Sequence, residues 1–158
     1  MKLYLLRHGQ SATASEAGVA RDFDRPLSPL GRDDVHRMAR YLAEQGARPG
    51  VILHSPLLRA AQTAEVALSV LKPSQGLEAF APLANELPAE DLAAELTRRG
   101  AGIAELLAVG HQPQLGELLA HLAKVPFSLR PGGVAALEIK AEGPASFLWA
   151  RNPEEIPA

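Results

Sequence analysis

The sequence predicts an α/β protein: a three-layer α/β/α sandwich with a mostly parallel sheet and an antiparallel edge. Three observations predict it. Short apolar runs free of turn residues recur at 3–6, 51–53 and 106–109, as expected of strands buried on both faces. Between them lie stretches with apolar residues at steps of three and four, the period of an amphipathic helix. Strand and helix therefore alternate, the pattern of a parallel sheet joined by crossover helices. With 158 residues and no linker, repeat or low-complexity tract, the chain reads as one domain over 1–158.

Each element has a local reason. Leu3, Tyr4, Leu5 and Leu6 form a first strand that stops at Arg7-His8-Gly9. Residues 11–26 keep no period and read as a loop over that strand end, with Arg21, Asp22, Asp24 and Arg25 as solvated charges. Ser28-Pro29 starts a helix, serine capping and proline at the first helical position. Val35, Met38, Ala39 and Leu42 give that helix its apolar stripe, and Gly46 suits its end. Val51 to Leu53 make a second strand ending at His54. Ser55-Pro56 repeats the helix start, followed by Leu57, Ala61, Ala64, Leu68 and Leu71, with Lys72-Pro73 as the stop. Residues 76–80 suit an edge strand, 81–88 a loop with Asn85 and Glu86, and Leu92, Ala93 and Leu96 a short helix ending before Gly100.

Leu106 to Val109 form a fourth strand that runs into Gly110-His111, and Pro113 opens a helix with Leu115, Leu118, Leu119 and Leu122 inward. Residues 134–139 and 146–149, split by the turn at Glu142-Gly143-Pro144, suit a closing antiparallel hairpin.

Composition removes several functions. The net charge is −2, against a general nucleic-acid binder, which carries a basic surplus. There is no cysteine, so thiolate chemistry, disulfides and zinc–cysteine sites are out. No apolar stretch is long enough to span a bilayer, and no secretory leader precedes the first strand. A cytoplasmic protein, associated with neither membrane nor nucleic acid, is the expectation.

The chemistry gathers at three strand ends: Arg7 and His8 at the first, His54 and, one turn into the next helix, Arg59 at the second, His111 at the fourth. Parallel strands set their carboxyl ends along one edge, where ligands bind in open α/β sheets. Helix starts there aim N–H groups and positive dipole ends the same way. Gly9 lets the backbone approach a ligand or turn sharply. Two arginines and two histidines, with no carboxylate in the same segments, make a pocket for a dianion, and phosphate is the natural candidate. No Walker-type glycine loop and no acidic pair for magnesium is present. The remaining route is covalent: a neutral imidazole attacks phosphorus, and water later cleaves the phosphohistidine. His8 is the better nucleophile, exposed on a rigid strand beside Arg7, and His111 would donate to the phosphoryl oxygens. A tetrad that only binds phosphate, without turnover, is the non-catalytic alternative.

Arg7-His8-Gly9, the run from Ser55-Pro56-Leu57-Leu58-Arg59 to Ala64, and Val109-Gly110-His111 resemble three signatures of the histidine phosphatase superfamily, the phosphoglycerate mutase-like family. The run from Pro26-Leu27-Ser28 to Gly31 is similar to a fourth, less diagnostic one. The resemblance spans Lys2 to about Leu122, and the short length is most similar to its phosphohistidine phosphatase branch, the SixA type. It implies a phosphoglycerate mutase-like fold and His8 as the phosphorylated nucleophile. It also implies Arg7, Arg59 and His111 as the phosphate pocket, and catalysis without metal or other cofactor. The expected partner is a phosphorylated protein carrying phosphohistidine, or alternatively a small phosphate ester.

Many relatives carry a loop acid that protonates the leaving group. Here Glu86 in 83–88 is the candidate acid, and equally a solvated loop carboxylate. An imidazole leaves from a phosphoramidate more readily than an alkoxide from an ester, so an acid is less needed on phosphohistidine. His54 either lines the pocket or supports the strand end. Gln10 and Ser11 either bond a phosphate oxygen or shape the turn. Gln62 and Thr63 suit helix packing, Trp149 the core, His36 a solvent-facing site and His121 the negative end of its helix. The five histidines have no metal-ligand spacing.

Overall fold

The apolar run at the amino terminus becomes strand β1 (Lys2–Arg7) and its side chains part to opposite faces of a sheet. The computed structural model describes residues 1–158. Its elements are β1, helix α1 (Ala14–Ala17), α2 (Pro29–Glu44), β2 (Val51–His54), α3 (Leu58–Leu71), β3 (Leu77–Ala79), α4 (Ala89–Arg99), β4 (Glu105–Gly110), α5 (Gln114–Ala123), β5 (Val134–Glu138) and β6 (Ser146–Arg151). Single 3-10 turns lie at Asp22–Asp24, Ala81–Leu83 and Pro153–Glu155.

The strands form one six-stranded sheet in the order β3-β2-β4-β1-β5-β6. The first four strands in sequence pair in parallel, and β5 and β6 close the far edge antiparallel, as the turn chemistry predicts. A register irregularity between Ala136 and Leu137 bends the hairpin.

Alternation along the strands builds two cores. Leu3 and Leu5 of β1, Val51 and Leu53 of β2, and Leu106 and Ala108 of β4 meet Leu92, Leu96, Leu115, Leu118 and Leu119 from α4 and α5. Tyr4 and Leu6, Ile52, Leu107 and Val109 meet Met38, Ala39, Leu42, Ala60, Ala64 and Ala67 from α2 and α3 on the other face. That is the three-layer sandwich. Tyr4 is the one hydroxyl in the second core; its oxygen donates to Glu105 Oε1 at 3.1 Å. Burial, followed by the Glu105 charge, raises the phenol far above its ordinary range. Trp149 is half-buried, edge-on to Tyr41 with centroids 5.7 Å apart, a packing role as expected. No helix is long and apolar enough to cross a membrane.

Two local readings need correction. The start of α2 is as expected, with Ser28 Oγ accepting from Gly31 N at 3.0 Å. The second Ser-Pro does not start α3, which begins three residues later at Leu58 with no side-chain cap. Ser55 instead belongs to the site. Gly9 is needed for packing against α2 rather than for ligand approach: a Cβ there would stand 2.7 Å from Val35 Cγ2 and 2.8 Å from the Gly31 carbonyl oxygen. Gly31 is the reciprocal half, since a Cβ on it would lie 2.0 Å from the Gln10 carbonyl oxygen. The end of β1 and the start of α2 touch backbone to backbone, and this fixes His8.

Candidate active site

Parallel pairing puts Arg7 beside Gly110 and His54 beside Val109, so the ends of β1, β4 and β2 share one sheet edge. There the structure brings Arg7, His8, Arg59 and His111 into one cavity of about 350 Å³, lined also by Gln10, Ser11, Arg25, Asn85, Gln112 and Pro131. No hydrophobic side chain lines it. The two imidazoles face each other with ring centroids 5.1 Å apart.

His8 is 8% exposed. Its Nδ1 lies 2.7 Å from the Gly9 carbonyl oxygen. A carbonyl only accepts, so Nδ1 carries the hydrogen of the neutral ring and Nε2 carries the lone pair. Nε2 has no protein partner, yet it is not among the buried unpartnered atoms; it opens onto the cavity. Burial first, with His111, Arg59 and Arg7 adding to it against the Gly9 hydrogen bond, holds His8 down at about 3. At neutral pH the ring is uncharged and its outward nitrogen is free to attack.

The backbone around it is locked. Gly9 N donates to Thr63 Oγ1 at 3.1 Å, and that hydroxyl donates to the Arg59 carbonyl at 2.8 Å. Gly132 N donates to the carbonyls of Arg7 and His8, and Arg7 N to that of Gly133. Gln62 accepts from Leu27 N at 2.8 Å. The helix-packing expectation for Thr63 and Gln62 thus holds with an addition: Thr63 ties α3 to the backbone beside His8, and Gln62 ties it to Leu27 ahead of α2.

Arg7 is anchored by Nη1 on the Leu129 carbonyl at 2.9 Å. Burial lowers its pKa. His111 is 3% exposed and its Nε2 lies 2.7 Å from Ser55 Oγ. Burial, then the Arg59 charge, lowers it to about 4. His54 does not line the cavity; its Nδ1 donates to the Ser55 carbonyl at 2.9 Å. That is the supporting role among its two alternatives.

Segment 11–26 is the largest departure from expectation. It is not a mere solvated loop. It folds into α1, capped by Thr13 and Glu16, and the 3-10 turn at Asp22–Asp24, and it returns to pair Ser11 with Leu27. Asp22 accepts from Arg59 Nη2 at 3.1 Å through Oδ2 and from Arg25 Nη1 at 2.8 Å through Oδ1. Its carbonyl accepts from Arg59 Nη1 at 2.9 Å. The hydrogen bond from Arg25 leads the causes that keep its carboxyl below the usual range. Arg25 also donates to Ser11 Oγ and the Ala12 carbonyl, at 2.8 and 2.9 Å. A third arginine and a carboxylate therefore join the tetrad. The charge run 21–25 carried the signal, but nothing in its spacing separates a folded ion cluster from solvated surface. Ser11 shapes this turn, and Gln10 lines the cavity beside it.

Glu86 is exposed and does not line the cavity. Its neighbour Asn85 does, at φ 71°. Asn85 Oδ1 accepts from Gln114 N at 3.1 Å and its Nδ2 donates to the Gln112 carbonyl at 3.1 Å. Gly116 N donates to Gln112 Oε1 at 2.7 Å. The start of α5 is thus capped by side chains, and the N–H groups expected to face the ligand there are taken. His36 is exposed, as expected, and His121 lies in the last turn of α5, at the negative end of its helix as expected. No cluster of three or more His, Asp or Glu side chains is arranged to hold a metal ion.

The profile of the histidine phosphatase superfamily (branch 1) matches residues 3–81. The phosphohistidine phosphatase SixA of Escherichia coli is 28% identical, with 97% of this chain and 94% of that protein covered. An uncharacterized protein of Picosynechococcus is 42% identical, over 74% of this chain and 70% of its own length. The structure of protein histidine phosphatase SixA complexed with tungstate superposes with a TM-score of 0.88, at 29% identity and 97% coverage of both chains. The alpha-ribazole phosphatase of Shigella flexneri shares the fold, with a TM-score of 0.76 at 20% identity and 97% coverage of both chains. The chain belongs to the histidine phosphatase superfamily.

Proposed function

We propose that the whole 158-residue chain acts as one histidine phosphatase domain that hydrolyses protein phosphohistidine through a covalent intermediate on His8. The observation that carries the reading is the bare Nε2 of His8, facing a cavity with three arginines and no carboxylic acid placed to protonate a leaving group. Arg7, Arg59 and His111 hold the phosphoryl oxygens, and their fixed charges and donors stabilise the charge of the transferring group. Nε2 attacks phosphorus, the new N–P bond forms, and the substrate's own P–N bond breaks. The departing imidazole takes its proton from solvent. Water then attacks the phosphorylated His8, releasing phosphate and a proton and restoring the neutral ring. Every step runs on these side chains without metal or other cofactor.

The absence of a placed acid favours an imidazole leaving group over an alkoxide, because protonation of the first is less demanding. Kinship with a phosphohistidine phosphatase points the same way. A phosphorylated protein partner and a cytoplasmic setting complete the reading.

The test is hydrolysis of a phosphohistidine-bearing phosphotransfer domain beside a panel of sugar and nucleotide phosphates, without added metal. Faster turnover of the protein is expected. His8→Ala is expected to abolish it with the circular dichroism spectrum unchanged, and acid-labile phosphate is expected to be trapped on His8 of the wild type. Near-wild-type turnover by His8→Ala overturns the mechanism. Preference for a small ester overturns the substrate class alone.

A further inference from the structure

Ser55 is fully buried at the end of β2, and the chemistry above gives it no part. Its hydroxyl oxygen has two hydrogen-bond neighbours: the backbone N of Leu57 at 3.2 Å and Nε2 of His111 at 2.7 Å. The first can only donate, so Oγ accepts from Leu57. The hydroxyl hydrogen remains, and His111 Nε2 is the one acceptor it reaches. A buried hydroxyl hydrogen without an acceptor is costly. The hydroxyl therefore donates to Nε2, which must carry a lone pair.

The hydrogen of the neutral His111 ring then sits on Nδ1. That atom has no protein partner and is not among the buried unpartnered atoms, so it opens onto the cavity. We propose that Ser55 is a positioning residue that sets the tautomer of His111, so that the ring presents an N–H donor to the phosphoryl group that His8 attacks. The opposite tautomer would aim a lone pair at a dianion. His111 is uncharged near neutral pH because burial and Arg59 hold its pKa at about 4. Tautomer choice, rather than protonation, thus decides what the ring offers. His54 supports the arrangement from behind, by donating to the Ser55 carbonyl at 2.9 Å.

The proposal rests on the phosphatase reading for its purpose, but the tautomer can be observed without it. Nitrogen-15 NMR of the histidine rings in the full chain at neutral pH reports which nitrogen is protonated, with His111→Asn identifying the signal. Wild-type His111 is expected to show a protonated Nδ1 and a bare Nε2. Ser55→Ala is expected to move the ring toward the Nε2–H form and to lower kcat/KM on phosphohistidine protein about tenfold, the lower end for loss of a group that orients another. Ser55→Thr, which keeps the hydroxyl, is expected to restore both readouts. A wild-type ring protonated on Nε2 overturns the proposal, even where Ser55→Ala fails to fold. So does an unchanged tautomer in folded Ser55→Ala. Near-wild-type turnover by His8→Ala sinks the phosphatase reading and leaves the tautomer assignment standing.

Discussion

The two imidazoles that face each other across the cavity are each tied to the protein at one nitrogen, but by partners of different chemistry. His8 is tied through Nδ1 to a backbone carbonyl, His111 through Nε2 to a serine hydroxyl. A carbonyl can only accept, so the tie on His8 leaves one arrangement: hydrogen inside, lone pair outward. A hydroxyl can give or take, so the tie on His111 is decided by its surroundings, here by the Leu57 N–H that occupies the other side of the oxygen. Both neutral rings carry their hydrogen on Nδ1, yet one shows the cavity a lone pair and the other a donor. Tying opposite nitrogens lets one residue type supply both the attacking nitrogen and the donor that the proposed reaction needs.

The sharpest way to break this comparison is to remove each ring in turn. His8→Ala is expected to cost at least ~10³-fold in turnover, because the covalent route goes with it. His111→Ala is expected to cost about 10²-fold, the scale for losing one preorganised donor to the transition-state charge. Single-turnover rates of phosphate release check both. Equal losses would mean the two rings act as one unit rather than in separate roles.

Acid stability probes the pair without substrate. His8 and His111 titrate near 3 and 4 when folded, against about 6.5 when unfolded. Between those limits the unfolded chain binds more protons, so stability falls as pH falls through 6.5 toward 4. At about pH 5 each ring is expected to cost about 2 kcal/mol relative to its neutral state. Asp22, bonded to Arg25 and Arg59, and Glu78, which accepts from Arg99 at 2.9 and 3.0 Å, have lowered values, so their contributions are lost only at more acid pH. Denaturant unfolding at pH 5 and 7.5 measures the difference, and His8→Asn is expected to remove about half of it.

How legible each half was follows from the physics of the signals. Hydrophobic period and turn chemistry are local, and they marked β1, β2, β4, α2, the closing hairpin and the strand-end placement of Arg7, His8, Arg59 and His111. The contribution of Asp22 and Arg25 was not legible. Their roles come from a return of the chain that pairs Ser11 with Leu27, a long-range event that no charge spacing encodes. The role of Ser55 is hidden in the sequence for a related reason. A Ser-Pro pair states a local preference for capping, but the hydroxyl found a tertiary partner in His111, 56 residues away. Gly9 was marked as special by its place after the strand, though the neighbour that requires it, Gly31, is visible only in the packing.

That packing offers a gentler test of why His8 is the rigid member of the pair. A methyl group at residue 9 would meet Val35 Cγ2 at 2.7 Å and the Gly31 carbonyl oxygen at 2.8 Å. Gly9→Ala is therefore expected to destabilise the fold by about 1–3 kcal/mol, the range for overpacking. It should also lower kcat more than it raises KM, by shifting the ring that reacts rather than the arginines that bind. Chemical denaturation and steady-state kinetics separate the two effects. A variant with wild-type kcat would show that β1 and α2 can part without moving the nucleophile.

The smallest effect is expected at Glu86, and it sharpens the comparison by asking whether a third group shares the work. With His8 as attacker and His111 as donor to the phosphoryl oxygens, neither ring protonates the leaving group. Asn85 has its side-chain oxygen and amide engaged with the start of α5, and Glu86 points outside the lining. An imidazole leaving group needs no such acid, so Glu86→Gln is expected to change turnover of phosphohistidine protein by less than about twofold. On a phosphate ester, whose alkoxide does need a proton, any activity would also be insensitive to Glu86 if that side chain stays outside the cavity. A tenfold or greater loss on the ester would mean that the 83–88 loop closes over bound substrate, bringing the carboxylate within reach of the leaving oxygen and giving the two imidazoles a partner for ester chemistry.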